Sequence, residues 1–209
     1  MNPNNLEEKL KDLIEAEQDI NCQTFQEHCL ENIHISYKKI NKCEFNNVKL
    51  LNINFKNVEF FEVCFTDCDL SNTIFEECHL TRVIFKNCKL LGVNISGVSY
   101  LNNVIIDECH CKYIYFSGNE KIPMPFSNII IKNSDLTGSR FLYIKLNETV
   151  FDNVILKYSE IFNTSFREID LSNCQINDMK ISIFDARGVI VNENQALALI
   201  NLFGIVVKD

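Results

Sequence analysis

The chain has little of what catalysis, metal binding or membrane insertion requires. Its ten cysteines include no C-x-x-C pair, and Cys109-His110-Cys111 alternates faces if extended. Neither zinc nor structural disulfides are expected, and no cofactor of any kind. The four histidines (His28, His34, His79 and His110) are dispersed. No Ser-His-Asp or Cys-His spacing stands out, and Glu76-Glu77 reads as a solvated face, so no enzyme is expected. The longest apolar stretch, 196–207, is broken by Asn201 and too short to span a bilayer. Residues 1–20 are charged throughout and lack the apolar core of a secretory leader, so a cytoplasmic location without membrane contact is expected. Clustered Lys and Arg are missing too: 20 basic residues stand against 28 acidic ones, for a net charge of −8. That excludes direct binding of nucleic acid through its phosphates. It permits imitation of nucleic acid toward a basic protein groove, although solubility is the commoner use of such a charge.

What is present is a period of five. From Phe45 to Tyr100 every fifth residue is large and apolar: Phe45, Leu50, Phe55, Phe60, Phe65, Leu70, Phe75, Leu80, Phe85, Leu90, Ile95, Tyr100. Two residues before each stands a small or β-branched partner, such as Cys43, Val48, Thr73 or Cys88. Five is neither the period of a strand nor that of a helix. A repeat this short means a solenoid, in which each unit buries its face only by stacking on its neighbours. Six of the cysteines (Cys43, Cys68, Cys78, Cys88, Cys109 and Cys174) fall at the small inward position, where Cys serves as a small hydrophobe.

The same rhythm is weaker in Phe25, Leu30, Ile35 and Ile40, which read as degenerate first repeats. After Tyr100 the frame slips by one residue, around 101–104, and continues through Ile106, Phe116, Phe126, Phe141 and Phe166 to Ile181. One inserted residue in a stack of coils is a bulge. Residues 117–125, with Gly118, Pro123 and Pro125, interrupt the pattern without changing its phase. They are either two degenerate repeats or an excursion, and Asn119, Glu120 and Lys121 are its candidate contact residues.

Charges report how many repeats make a coil. Stacked coils put equivalent side chains about 4.8 Å apart, where opposite charges attract. Twenty residues apart within the two regular blocks stand Lys49–Asp69, Asp69–Lys89, Lys56–Glu76, Glu62–Arg82, Lys132–Asp152, Arg140–Glu160 and Glu160–Lys180, with Glu148–Glu168 the one like pair there. Fifteen residues apart, opposite and like pairs nearly balance. Four pentapeptides per coil are predicted.

The ends differ. Residues 1–20 form a capping segment, with a helix over 4–16 carrying Leu6, Leu10, Leu13 and Ile14 on one stripe. Residues 21–184 are the repeat body. Residues 185–209 leave the repeat: Asn192 caps a helix with Gln195 reaching back, Gly204 ends it, and Ile205-Val206-Val207 reads as a strand. The wide apolar face of that helix is either a cap on its own last coil or a two-fold interface. The dimer is the preferred reading, through Leu199, Ile200, Phe203, Gly204, Ile205, Val206 and Val207.

Cys68-Asp69-Leu70-Ser71-Asn72, Ser134-Asp135-Leu136-Thr137-Gly138 and Ile169-Asp170-Leu171-Ser172-Asn173 resemble the pentapeptide repeat family over about residues 22–184. The resemblance implies an all-β, right-handed, quadrilateral β-helix with four repeats per coil. The ending, Asp185 to Val207, looks like the C-terminal dimerisation module of the Qnr and MfpA group. Those proteins are dimeric rods resembling B-DNA in size and charge, which bind DNA gyrase and topoisomerase IV and protect them from quinolones. The implied partner is therefore a type II topoisomerase, met through an acidic surface for which Glu148, Asp152, Glu168, Asp170 and Asp178 are the candidates. The alternative is a non-catalytic interaction scaffold, favoured by outward apolar residues such as Phe61, Leu91, Leu142 and Phe162.

Overall fold

The computed structural model describes residues 18–207, so the expected helix over 4–16 lies outside the described residues. Each pentapeptide makes one side of a four-sided coil. Three residues form a short strand whose central large side chain points inward, as in Glu44–Asn46 around Phe45 and Asn54–Lys56 around Phe55. The next residue turns the corner. All strand pairs are parallel, and within the regular blocks the register is twenty: Phe25↔Phe45, Phe45↔Phe65, Phe65↔Phe85. Four pentapeptides per coil is thus the observed geometry. The four faces are led by Ile20, Phe25, Leu30 and Ile35, and are called first to fourth in that order.

The corner explains the asparagines. Among the described residues, 26 non-glycine residues have φ between 47° and 65°, nearly one per corner, and 11 of them are Asn. The left-handed region costs an ordinary side chain roughly 1–2 kcal/mol, and Asn tolerates it best because its short amide bonds locally. The amides also bond from coil to coil: Asn72 Nδ2 donates to Asn52 Oδ1 at 3.2 Å and Asn87 Nδ2 to Asp67 Oδ1 at 2.6 Å.

The core is a set of ladders at the coil spacing. Phe25, Phe45, Phe65 and Phe85 stack with ring centroids 4.9, 4.8 and 5.1 Å apart. The small inward position is small because it faces the interior wall, and it is often a donor because a carbonyl of the preceding coil lies in reach. Thr73 Oγ1 donates to the Leu50 carbonyl at 2.8 Å, Ser159 Oγ to Leu136 at 3.0 Å and Cys78 Sγ to Phe55 at 3.3 Å. All six inward cysteines are buried. Burial pushes the Cys78 thiol up to about 11, so it stays protonated and inert.

Both irregularities have a definite place. The extra residue sits at Ser99–Tyr100, slightly ahead of the expected 101–104. Ser99 N still bonds Cys78 O in the old register, whereas Tyr100 already stands opposite His79 in the new one. Leu101 takes the inward site and is buried, and Tyr100 is exposed with its hydroxyl accepting from Asn102 at 2.8 Å. The next coil is longer by one pentapeptide, since Leu101 pairs with Phe126 and Ile106 with Ile131. The added residues are an excursion at the corner between the fourth and first faces. Its base is closed by Gly118 N to Leu142 O and Met124 N to Tyr143 O, both 2.9 Å. A Cβ on Gly118 would lie 2.3 Å from Met124 N and 2.6 Å from Tyr143 O, so only glycine fits.

Five of the predicted charge pairs form ion pairs: Lys56–Glu76, Glu62–Arg82, Asp69–Lys89, Arg140–Glu160 and Glu160–Lys180. Lys132 stands beside Asp152 in the ladder but pairs with Asp107 at 3.3 Å. Lys49 is likewise beside Asp69, whose carboxylate is taken by Lys89 and Ser71.

Two of these motifs give a pH dependence. Partial burial pulls the Asp69 carboxyl upward, but the Ser71 hydroxyl and N–H and the Lys89 ammonium outweigh it and hold it below the usual range. Asp135 is held down in the same way against its own burial, by Thr137 and Lys112. A carboxyl lowered in the folded state stabilises fully above its unfolded value, near 3.9, and ceases to do so as pH falls through the folded value. Thermal melts from pH 6 to pH 3 are expected to show Tm falling below about pH 4. The fall should be shallower in the Asp69→Asn/Asp135→Asn double variant, and an unchanged slope would remove these two carboxylates from the account.

Candidate partner-binding surfaces

With the interior filled, chemistry is left to the outer faces, the corners and the ends. Among the described residues no three His, Cys, Asp or Glu side chains are grouped to hold a metal ion. No helix among them is long and apolar enough to cross a membrane.

The candidate acids do not all meet. Glu148 and Glu168 are successive corner residues after the first face, both exposed and both left-handed, at φ 48° and 65°. Asp170 begins the second face beside them. Asp152 is on the far edge of that face, where Asn173 donates to it. Asp178 is a corner residue after the third face, on the diagonally opposite edge, and does not join them. Arg167 pairs with Glu168 at 3.4 Å, so the patch is less negative than a count of its acids suggests.

A second acidic edge went unread in the sequence. The corner after the second face carries Glu27, Asn47, Asp67, Asn87, Glu108, Asn133 and Asn153. Acids stand on the first, third and fifth of these coils, about 10 Å apart, with only amides between and after them in the column. Amides link this edge, Asn133 Nδ2 donating to Asp107 at 3.1 Å and Asn153 Nδ2 to Asn133 at 3.0 Å. The signal was available as a twenty-residue recurrence of acid or amide two places after each second-face residue.

The loop tip is solvated. Asn119 Oδ1 accepts from the N–H groups of Lys121 and Ile122 at 3.1 and 3.0 Å, and Asn119, Glu120 and Lys121 are all exposed. The turn is thus fixed by its own Asn side chain, with Ile122 72% exposed at its shoulder.

At the C-terminal end, the ladder runs past the expected boundary at 184, since Asp170 bridges Ile190. Helix α1 (Glu193–Leu202) follows, with the expected capping box: Gln195 N donates to Asn192 Oδ1 at 3.0 Å and Asn192 N to Gln195 Oε1 at 2.8 Å. The Gln195 amide also plugs the rod, donating to the carbonyls of Leu171 at 2.8 Å and Cys174 at 2.7 Å. Leu199 is buried in the chain's own core and is not a free interface residue. Ile200 and Phe203 are half-buried, and Phe203 packs against the same core. Gly204 ends the helix at φ 74°. Residues 205–207 form no strand, and Ile205 N–H bonds back to the Ile200 carbonyl at 3.1 Å. They leave an apolar end: Val206 is 82% and Phe184 84% exposed, with Ile183, Ile190, Leu197, Leu202, Ile205 and Val207 about half exposed.

The geometry is a four-sided parallel β-solenoid of five-residue sides, with Asn-rich corners and ladders of Phe, Leu and small donors inside. Residues 38–118 match the family model described as a pentapeptide repeat region. A trypsin-treated variant of QnrB1, a plasmid-mediated fluoroquinolone resistance protein, matches in structure with a TM-score of 0.58 at 18% identity, over 92% of this chain and 94% of that one. Full-length QnrB1 gives 0.46 at 16% identity, over 90% and 99%. HetL, a pentapeptide repeat protein involved in heterocyst differentiation regulation in a Nostoc cyanobacterium, gives 0.31 at 14%, over 91% and 92%. No curated protein matches by sequence.

Proposed function

We propose that this protein is a non-catalytic, cytoplasmic, DNA-mimicking rod that binds a type II topoisomerase, DNA gyrase or topoisomerase IV, and lessens quinolone action on it. The observation that carries the reading is the shared architecture with QnrB1 along nearly the whole chain, a TM-score of 0.58 over 92% of it. Two acidic edges support it: Glu148–Glu168 with Asp170, and the base-free column through Glu27, Asp67 and Glu108. Regularly spaced carboxylates on a rigid rod suit a saddle built to hold duplex phosphates. The apolar end around Phe184, Ile205, Val206 and Val207 supports a homodimer about a two-fold axis. Supercoiling by gyrase in the presence of ciprofloxacin tests the proposal: added protein is expected to restore activity or, at higher dose, to inhibit it.

The scaffold reading keeps one observation of its own. Phe162 is 52% exposed and, with Leu142, Ile161 and Leu202, lines a groove of about 490 Å³ on the fourth face. An unrelated protein docking there would use contacts that DNA mimicry leaves idle.

A further inference from the structure

The second face carries two parallel rows that the fold does not need in this form. One edge bears Ile84, Ile105, Ile130 and Val150, stacked on successive coils. Three of them are 37%, 37% and 49% exposed and Ile105 is half-buried. The other edge bears Lys86, Asp107, Lys132 and Asp152 on the same four coils. The charge alternation serves the chain itself, since Lys132 bonds Asp107 at 3.3 Å. The aliphatic row has no such use, and no described element covers it. The 119–122 loop leaves from a corner that does not border this face, and α1 lies over the last coil. The patch is bounded, with Cys64 and Thr66 on one side and Asp170 and Ser172 on the other.

We propose that this face docks on the same face of a second copy, the two rods running antiparallel about a two-fold axis lying across the face. That operation keeps each row opposite itself and reverses its order. Aliphatic side chains then meet aliphatic side chains along about 14 Å, three coil spacings. Plus–minus–plus–minus read backwards is minus–plus–minus–plus, so Lys86 faces Asp152 of the partner subunit and Asp107 faces Lys132 of the partner subunit. Every charge meets its opposite. Parallel rods meeting by this face are related by an axis along the rod, which would press the aliphatic row onto the charged one and cost desolvation. An unrelated occupant gains nothing from the antisymmetric order, which points to a second copy. The contact is one face of four coils, so association is expected to be weak. It is separate from the apolar C-terminal end, and one molecule has room for both.

Equilibrium sedimentation of the full chain carrying Val206→Asp, which weakens the C-terminal contact, isolates this face. The readout is the change from the species present at low concentration, so it holds whatever the C-terminal end does. Lys86→Glu alone and Asp152→Lys alone each set two like pairs face to face, and each is expected to weaken association at least tenfold. An equimolar mixture of the two single variants restores opposite signs at both pairs, and association is expected to return as a heterodimer. Loss of fold in a single variant cannot produce that rescue. Constant mass up to about 0.5 mM in the parent, association indifferent to either substitution, or a mixture no tighter than its components would each overturn the proposal.

Discussion

Phe65→Ala is expected to lower stability by about 3–5 kcal/mol, with a fall in Tm on the order of 10 °C. Phe65 is 1% exposed and lies between the rings of Phe45 and Phe85, with Phe60 tilted against it at 6.3 Å. Removing it breaks one ladder in the middle of the repeat body. The void cannot close by local collapse, because each coil is fixed by backbone bonds to the coils on both sides. In a solenoid, stability is a sum of repeats and their interfaces. The damage is therefore expected to split the calorimetric transition and leave the coils beyond the gap to melt apart. Phe162→Ala, at a side chain 52% exposed, is the matched control and should change Tm by little. Equal effects from the two would mean that the inward and outward positions are wrongly assigned.

The second large effect is expected at Gln195. Its amide donates to two carbonyls at the open end of the last coil, and its oxygen accepts the Asn192 N–H. Gln195→Ala leaves the Cys174 carbonyl without its donor, takes one of two donors from the Leu171 carbonyl, which still accepts the Cys174 N–H at 2.9 Å, and removes half of the capping box, at a cost of about 2–4 kcal/mol. Gln195→Glu keeps an acceptor for Asn192 but turns a carboxylate toward the carbonyls of Leu171 and Cys174, and is expected to cost more than alanine. The loss is local. Hydrogen exchange should speed up in 193–202 and in the last coils, while the coils around Phe45 to Phe85 keep their protection. Global loss of protection, or a harmless Gln195→Glu, would contradict the view that this side chain seals the end.

How far the sequence was legible depends on what sets each feature. Inward positions were legible because a period of five forces the same side-chain size at the same depth, and the structure buries Phe45 through Ile95 accordingly. The sequence pattern sets the slip late because Tyr100 passes for a large apolar residue. Size alone fits it inside, but its hydroxyl has a partner in Asn102 outside, and Leu101 fits better. The excursion at 117–125 could not be told from degenerate repeats, since its length preserves phase. What distinguishes it is the close packing of backbone around Gly118. The helix cap at Asn192 was readable from local chemistry. The burial of Leu199 was not, because it depends on where the last coil ends. Ile205-Val206-Val207 has the composition of a strand but forms none, its first N–H bonding back to the end of the helix.

For the candidate surfaces the lesson is one of distance. Asp178 stands ten residues from Glu168, yet a coil places it on the opposite corner, while Glu148 at twenty residues is its immediate neighbour. Acids have to be grouped by their remainder over twenty, corrected for the slip and the excursion. Grouped that way, the column through Glu27, Asp67 and Glu108 becomes visible beside the expected patch.

Displacement of duplex DNA from gyrase tests the central claim most directly. Fluorescent linear DNA is bound to the enzyme and titrated with this protein at two ionic strengths. The account predicts that micromolar protein releases the DNA, and that the concentration needed rises steeply between about 50 and 200 mM salt, as carboxylates on an exposed face are screened. DNA that stays bound at low salt, with the protein sedimenting apart from the enzyme, would contradict it.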